Sequence, residues 1–517
     1  MARTSPPPAS RRGPAATAAL LLATALGAIA TAPALAAPAP TAPAGGDLLH
    51  GTVQRLSVER QSGGSRSGEI TAWLDAPGGH VPLDPAAVVG VPTGTAVAVR
   101  LGPVRAGQGD AVRAVRSLAV ITPAPSTTAE ATPPQATGAR ATGAQATGAR
   151  ATGARATGAP RVAKAAVHGV TLVLALPGTA RADATTPARL SAAAADAARF
   201  WSARTDGRIA FAVTRAVGWT HLQHGCDDVW GMWDEARARI GFVPGPDRHL
   251  LLYVPPGAGC ASGLGTVSPS VDAGGYVLVA GSTTGLLAHE LGHNLGLGHS
   301  DALSCDGVAD GTFVEGWSDG CTHEDYGDWY DVMGISWDNI GSLSTAQAYR
   351  LGVLDGVLAV SGPTRAVLRP VSGRSGVRSL RVTDPDGAVY VVEYRPASGA
   401  DAWLGTASDW RGLRPGVLVR RIDPQDPTRI LLLDATPSTS ALDPADHDEP
   451  LRPGQSFRTA SGRVTIRLES QVAGAATVVV DRDGVSPADV VQPGGRLVNG
   501  RQVTIGDAPA AWAAAGR

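Results

Sequence analysis

The stretch AHELGHNLGLGHS, Ala288 to Ser300, gathers His289, His293 and His299 around Glu290 in a chain with only 11 histidines. On an α-helix, positions four apart share a face, so His289 and His293 can aim both imidazoles at one point. Neutral imidazole is a good zinc ligand, and two of them one turn apart supply half of a tetrahedral site. Glu290, one residue on, is placed to reach water at the metal without coordinating it. His299 completes the set if the helix stops sharply and the chain doubles back. Gly296 is placed to stop it, because glycine accepts the left-handed conformation that ends helices. Buried imidazoles beside a glutamate would be costly without a cation. The stretch therefore reads as a metal site of three histidines with one coordination position open.

The order of these residues resembles the extended zinc motif of the metzincin metallopeptidases, here HELGHNLGLGH. The second hallmark of that family is a tight turn with a methionine beneath the metal. Beyond residue 36 the chain has two methionines, Met232 and Met333, and Met333 lies in YGDWYDVMG, Tyr326 to Gly334. Together with LSTAQAYRLGVL, VVEYR and GVLVRRID, this segment is most similar to the gametolysin-like branch and its bacterial relatives. The similarity is strong over 168–355, weaker over 366–484, and absent from the N-terminal part and the repeats.

The resemblance implies an α+β/α/β catalytic domain, a five-stranded mixed sheet over an active-site helix. His289, His293 and His299 would hold one Zn2+, Glu290 would be the general base, and Met333 would form an apolar floor. Some metzincins carry a tyrosine ligand two residues after the methionine; Ile335 stands there, so that role is absent, with Tyr326 or Tyr330 as substitutes. Some relatives are kept latent by a prodomain cysteine on the metal. No cysteine precedes Cys226, so inhibition by the N-terminal module would need another ligand, such as an aspartate, or a steric block.

Outward from the motif, the composition fits several domains. The chain has 517 residues, 44% hydrophobic, with 65 glycines and 39 prolines, and its net charge of −1 gives no electrostatic reason to expect nucleic acid. Residues 1–36, with arginines ahead of AATAALLLATALGAIA, read as a secretory signal peptide, and no later segment is apolar enough to be a stable membrane anchor. Residues 37–46 are a spacer. Residues 47–122 hold short runs such as GTVQRL, EITAWL and TAVAVRL, read as a small all-β module and candidate prodomain. Residues 123–166 contain five near copies of ATGAR, too poor in bulky apolar groups to offset ordering entropy, and read as a disordered linker open to proteolysis. Alternating strand and helix patterns over 167–360 mark the peptidase domain, 361–484 reads as a β-sandwich-like module, and 485–517 as a tail.

The four cysteines form no C-x-x-C pair, so disulfides in an oxidising exterior are expected. Three pairings are open; neighbour pairing, Cys226–Cys260 and Cys305–Cys321, is the expected one. Asp306, Asp310, Asp319, Asp325 and Asp328 crowd a region where Ca2+ is a weaker expectation, since their spacing matches no defined calcium loop. His323 reads as a loop residue. The expected function is a secreted zinc-dependent endopeptidase acting on extracellular proteins or peptides through zinc-activated water, with substrate extended along GLGTVS, Gly263 to Ser268. The alternatives are a non-catalytic zinc-bearing extracellular binding protein, or a zinc hydrolase of a non-peptide amide such as cell-wall material. Neither the oligomeric state nor substrate preference is written in the sequence.

Overall fold

Valine- and leucine-rich runs from all parts of the chain pair into sheets that cross the segment boundaries drawn from sequence. The computed structural model describes residues 48–62, 65–105, 112–121, 167–334, 336, 339–441, 446 and 449–489. The signal peptide, the spacer, the repeat linker, Ile335 and the tail beyond 489 lie outside the described residues.

The first five strands are β1 (Leu48–Ser62), β2 (Ser65–Ala76), β3 (Gly79–Leu83), β4 (Ala96–Arg105) and β5 (Val112–Val120). They pair in the order β2-β3-β5-β4-β1, and β1 also pairs with β2, so the ring of pairings closes. Val53, Ala72, Leu74, Leu83, Val97 and Val99 fill its interior. Strand β1 is long enough to serve twice. Leu48–Thr52 pairs with β4, whereas Leu56–Glu59 continues on the same edge into the next part of the molecule.

That part contains β6 (Val167–Pro177), α1 (Pro187–Arg204), β7 (Ala210–Leu222), α2 (Val229–Ile240), β8 (Arg248–Tyr253), β9 (Gly263–Thr266), β10 (Gly275–Val279) and α3 (Thr284–Asn294). Strands β7, β6, β8 and β10 run parallel, and β9 is antiparallel to β10. Near-continuous apolar runs suit strands buried on both faces. Alternate residues divide accordingly: Val170, Leu172 and Leu174 face α1 and α3, while Val173 and Ala175 face Trp230 and Trp233 of α2. The Cys226–Cys260 disulfide joins the start of α2 to the loop before β9.

Here the expected fold class needs correction. The free-standing five-stranded mixed sheet of a metzincin-like domain does not form. Because β1 pairs with β9, those five strands are one half of a ten-stranded mixed sheet, ordered β2-β3-β5-β4-β1-β9-β10-β8-β6-β7. Among the described residues strand far outweighs helix, 41% against 16%, with four α-helices. The physical reason is the unpaired edge that β9 would otherwise present: backbone donors and acceptors there take up any extended partner, and β1 is that partner.

The flanking C-terminal module is not separate either. After α3 come β11 (Ser300–Cys305), β12 (Cys321–Glu324), α4 (Thr345–Arg350), β13 (Val357–Val360), β14 (Thr364–Leu368), β15 (Ser379–Thr383), β16 (Val389–Arg395), β17 (Gly416–Ile422), β18 (Ile430–Leu433), β19 (Ser456–Arg458), β20 (Val464–Val472) and β21 (Ala475–Arg482). They build a seven-stranded sheet, β12-β11-β18-β17-β16-β15-β13, and a four-stranded sheet, β14-β21-β20-β19. The two pack face to face through Leu380, Val382, Val392 and Val419 on one side and Ile466, Leu468, Val478 and Val480 on the other. Strands β11 and β12, joined by the Cys305–Cys321 disulfide, come from the segment read as peptidase domain yet belong to this sheet.

A wholly buried ionic network ties the seven-stranded sheet to the methionine-bearing turn. Arg420 Nε lies 2.8 Å from Asp328 Oδ2 and its Nη1 2.6 Å from Glu393 Oε1, which Arg395 also meets at 2.9 Å. Arg395 further donates to the Tyr330 and Ser342 carbonyls. Burial alone would raise the Glu393 carboxyl, but Arg420 and Arg395 outweigh it and hold it down to about 2. Removing one charge from such a group strands its partners in low dielectric. Arg420→Leu is expected to cost roughly 3–5 kcal/mol of unfolding free energy, read as a lowered midpoint in urea; an unchanged midpoint would show that the network does not support the turn.

Candidate metal centre

Helix α3 begins where Thr283 Oγ1 accepts the Leu286 N–H, 3.4 Å away, and it is buried on every side. It ends as the sequence suggests. Gly296 has φ +88°, its N–H donates to the His293 carbonyl, and the Leu297 N–H reaches the Gly292 carbonyl. These two bonds form a Schellman cap and turn the chain back. The reversed segment is then captured by the C-terminal sheet: Gly298 N–H donates to the Thr428 carbonyl, Ile430 N–H to that of His299, and β11 starts at the next residue beside β18. The third histidine is thus placed by strand pairing as well as by the cap.

His289, His293 and His299 come together, all buried. His289 Nδ1 lies 2.8 Å from the Val332 carbonyl, and His293 Nδ1 lies 2.8 Å from that of Leu297. A carbonyl only accepts, so each Nδ1 carries the proton and each Nε2 presents a lone pair inward. The two Nε2 atoms are 3.1 Å apart. Met333 packs beneath, its side chain against Gly292 between the two histidines, where a Cβ would collide with it. Asp331 holds this turn by accepting from the Met333 and Ser344 N–H groups.

A fourth group meets the three imidazoles. Glu59 of β1 places Oε1 at 3.6 Å from His289 Nε2 and 3.4 Å from both His293 and His299 Nε2. Tetrahedral zinc with bonds of roughly 2.0–2.1 Å would set ligand atoms about 3.3 Å apart. Glu59, His289, His293 and His299 form a buried group able to hold a metal ion. The donor chemistry fits one: inward lone pairs and a carboxylate repel one another unless a cation sits between them, and Glu59 Oε2 has no hydrogen-bond partner. Burial pushes His293 and His299 below the ordinary histidine range, favouring the neutral ring that a metal requires. Ser57 donates to Glu59 Oε1 at 2.7 Å and lies 2.8 Å from His299 Nε2. Tyr326, its ring tilted against His299 at 4.1 Å between centroids, donates to the same carboxylate.

Glu290 stands next to this group rather than in it. No hydrogen-bond donor reaches either of its oxygens. Burial first, and then the charge of Glu59, push its carboxyl well above the usual range. Gly263 and Gly265 of β9 leave the space that it occupies.

The other expected site residues lie elsewhere. Tyr330 donates to the Arg414 carbonyl and contacts Glu449 instead of the imidazoles. His323, on β12 rather than in a loop, pairs with Asp301, which also meets Arg429. The acids considered for calcium do not converge on one another, although Asp325 joins Asp301 and His323 in a second group able to hold a metal ion. Asp310 pairs with Arg421, Asp328 with Arg420, and Asp306 accepts the Ala441 N–H. The segment Gly263–Ser268 proposed to receive substrate does form a strand, β9, but β1 lies along it. Sequence reading missed Glu59 because it sits more than 200 residues from the histidines in an ordinary alternating strand pattern, LSVER. Its one indirect signal was the lack of any cysteine in the N-terminal module. No protein-family model matches the chain, and no curated protein matches it significantly.

Alanine at Gly296 would be strained at φ +88° and would bring its Cβ to 2.9 Å from the Ser268 carbonyl. Gly296→Ala is therefore expected to destabilise by about 1 kcal/mol or more and to weaken metal retention through displacement of His299. Metal content after dialysis against a chelator would show it; retention equal to the parent's would mean that the strands alone position His299.

Proposed function

We propose that the chain is a secreted zinc-dependent endopeptidase with metzincin-type site chemistry set in a different overall architecture. The observation that carries this reading is Glu290: a buried carboxyl group beside the Glu59, His289, His293 and His299 group, which a purely structural ion would not need. Zinc is favoured by a donor set of three imidazoles and one carboxylate. When bound, the ion supplies polarisation of a substrate carbonyl and a lowered pKa for water.

The protein's own residues do the rest. His289, His293 and His299 hold the ion, with two rings oriented by the Val332 and Leu297 carbonyls. Glu290, its proton affinity raised by burial and by the charge of Glu59, takes a proton from water and returns it to the departing amine. Strand β9 would receive an extended substrate backbone, a reading supported by its antiparallel pairing with β1. The two disulfides fit an oxidising exterior, and among the described residues no helix is long and apolar enough to cross a membrane. One observation favours a second reading, a non-catalytic zinc protein: with Glu59 included, four protein ligands close the shell, as in structural sites.

The test is made in the Glu59→Gln background, where the fourth protein ligand is weakened. Adding Glu290→Gln is expected to leave one equivalent of zinc bound while casein hydrolysis falls by about 10²–10⁴-fold. Full hydrolysis without Glu290, or no chelator-sensitive hydrolysis in the background chain, would remove the peptidase reading.

A further inference from the structure

Behind the metal centre lies a second pair of buried imidazoles. His168 of β6, His249 of β8 and Asn294 at the end of α3 are all buried, and they form a chain that ends on the cleft edge. We propose that His249, oriented by His168, is a positioning residue for strand β9: through Asn294 it locks the end of the metal-bearing helix to β9 and β10. What β9 receives rests on the peptidase reading; the lock itself does not.

The backbone shows where such a lock is needed. The ladder between β9 and β10 covers three residue pairs, from Gly263 opposite Val279 to Gly265 opposite Val277. One residue further, the Thr266 and Tyr276 carbonyls both accept from Asn294 Nδ2, at 3.0 and 3.1 Å. The side-chain amide thus continues the join where the ladder stops. Gly275 leaves room for it, since a Cβ there would lie 2.5 Å from Asn294 Cγ. Asn294 directly follows His293, and Gly265 of β9 lies so close to the helix that a Cβ would come 2.9 Å from Glu290 Oε2 and 3.0 Å from His293 Cβ. Any shift of β9 therefore moves the cleft wall relative to the base and the ligands.

Hydrogen-bond chemistry gives the chain one direction. Both carbonyls only accept, so Asn294 spends its amide hydrogens on them and leaves Oδ1 facing His249 Nδ1, 3.0 Å away. His249 Nδ1 is therefore a donor, and its Nε2 accepts from His168 Nδ1 at 3.0 Å. The arrangement needs two neutral rings, because a proton added to His249 Nε2 would meet the one on His168 Nδ1 head-on. Burial pushes both rings down to about 4. The charged groups facing the pair are Asp247, whose buried Oδ1 lies 3.5 Å from His168 Nδ1 without a hydrogen bond, and Asp272 in the turn before β10. Phe211 of β7 packs on both rings, at 4.9 and 5.3 Å between centroids. With the folded rings held below the ordinary histidine range, the lock is at full strength above about pH 6.5 and is lost as pH falls toward 4.

The test is hydrogen exchange on the intact zinc-loaded chain, followed over β9 and β10 from about pH 7 to 5. Protection is expected to be constant above about pH 6.5 and to fall below it by about tenfold per pH unit for each ring that takes up a proton on opening. His249→Asn, whose amide nitrogen stands where Nδ1 stands but takes up no proton, should flatten that fall. The metal ligands are the same in both chains, so the difference belongs to the pair. His249→Leu, with no donor for Asn294, should lose protection at every pH. In the Glu59→Gln background His249→Leu is expected to raise KM for an extended peptide about tenfold at nearly unchanged kcat, and His249→Asn to restore it. Parent protection that does not change with pH, a measurement that needs no variant to fold, would overturn the proposal, as would a His249→Leu chain protected like the parent. The expected exchange pattern without hydrolysis in any chain would leave the lock standing and refute the peptidase reading instead.

Discussion

Three imidazole nitrogens and a carboxylate oxygen meet at one buried point, and neither His289 nor His293 can give a proton to another without breaking the hydrogen bond that orients it. His289 and His293 have committed their Nδ1 protons to the Val332 and Leu297 carbonyls. Their Nε2 lone pairs and the Glu59 carboxylate would repel across 3.1–3.6 Å in a medium from which water is excluded. A cation between them would turn that repulsion into attraction. Much else follows from that constraint. The helix must break at Gly296, the chain must return along β18, and the Met333 turn must present its carbonyl to His289.

The architecture divides these tasks among segments distant in sequence. Helix α3 carries His289, His293 and Glu290, but it does not hold His299. The C-terminal sheet does, through Thr428 and Ile430, and its Arg420–Glu393–Arg395 network also anchors Asp328 and Tyr330 beside the methionine turn. The motifs VVEYR and GVLVRRID, which suggested a family likeness, are where those three residues lie. Their charges are fully buried, a costly arrangement unless paired, and the pairing is spent on the floor of the metal centre. The barrel completes the enclosure by adding a strand to β9.

Local patterns were legible along most of the chain. The alternating runs at EITAWL and TAVAVRL are strands β2 and β4, the fourfold histidine spacing lies on a helix, and the glycine after it adopts a positive φ. The neighbour pairing of the four cysteines also forms. What misled was the expectation that each segment would keep its own sheet. A β-ladder is made by backbone groups common to every residue, so alternation announces that a strand exists and which face is buried, but not which edge it joins. The merging of β1 with β9, and of β11 with β18, was therefore invisible.

The same distinction separates the ligands. His289, Glu290, His293, Gly296 and His299 were readable because helix geometry and a glycine turn convert short sequence spacing directly into direction in space. Glu59 was not, since its position depends on a strand pairing that spans more than two hundred residues and carries no spacing rule. The amino-acid order by itself determined the chemistry of three ligands and a neighbouring carboxylate. Only the tertiary structure decided that a fourth ligand comes from within the chain and that the cleft edge is already paired, because long-range backbone pairing is selected by the whole fold.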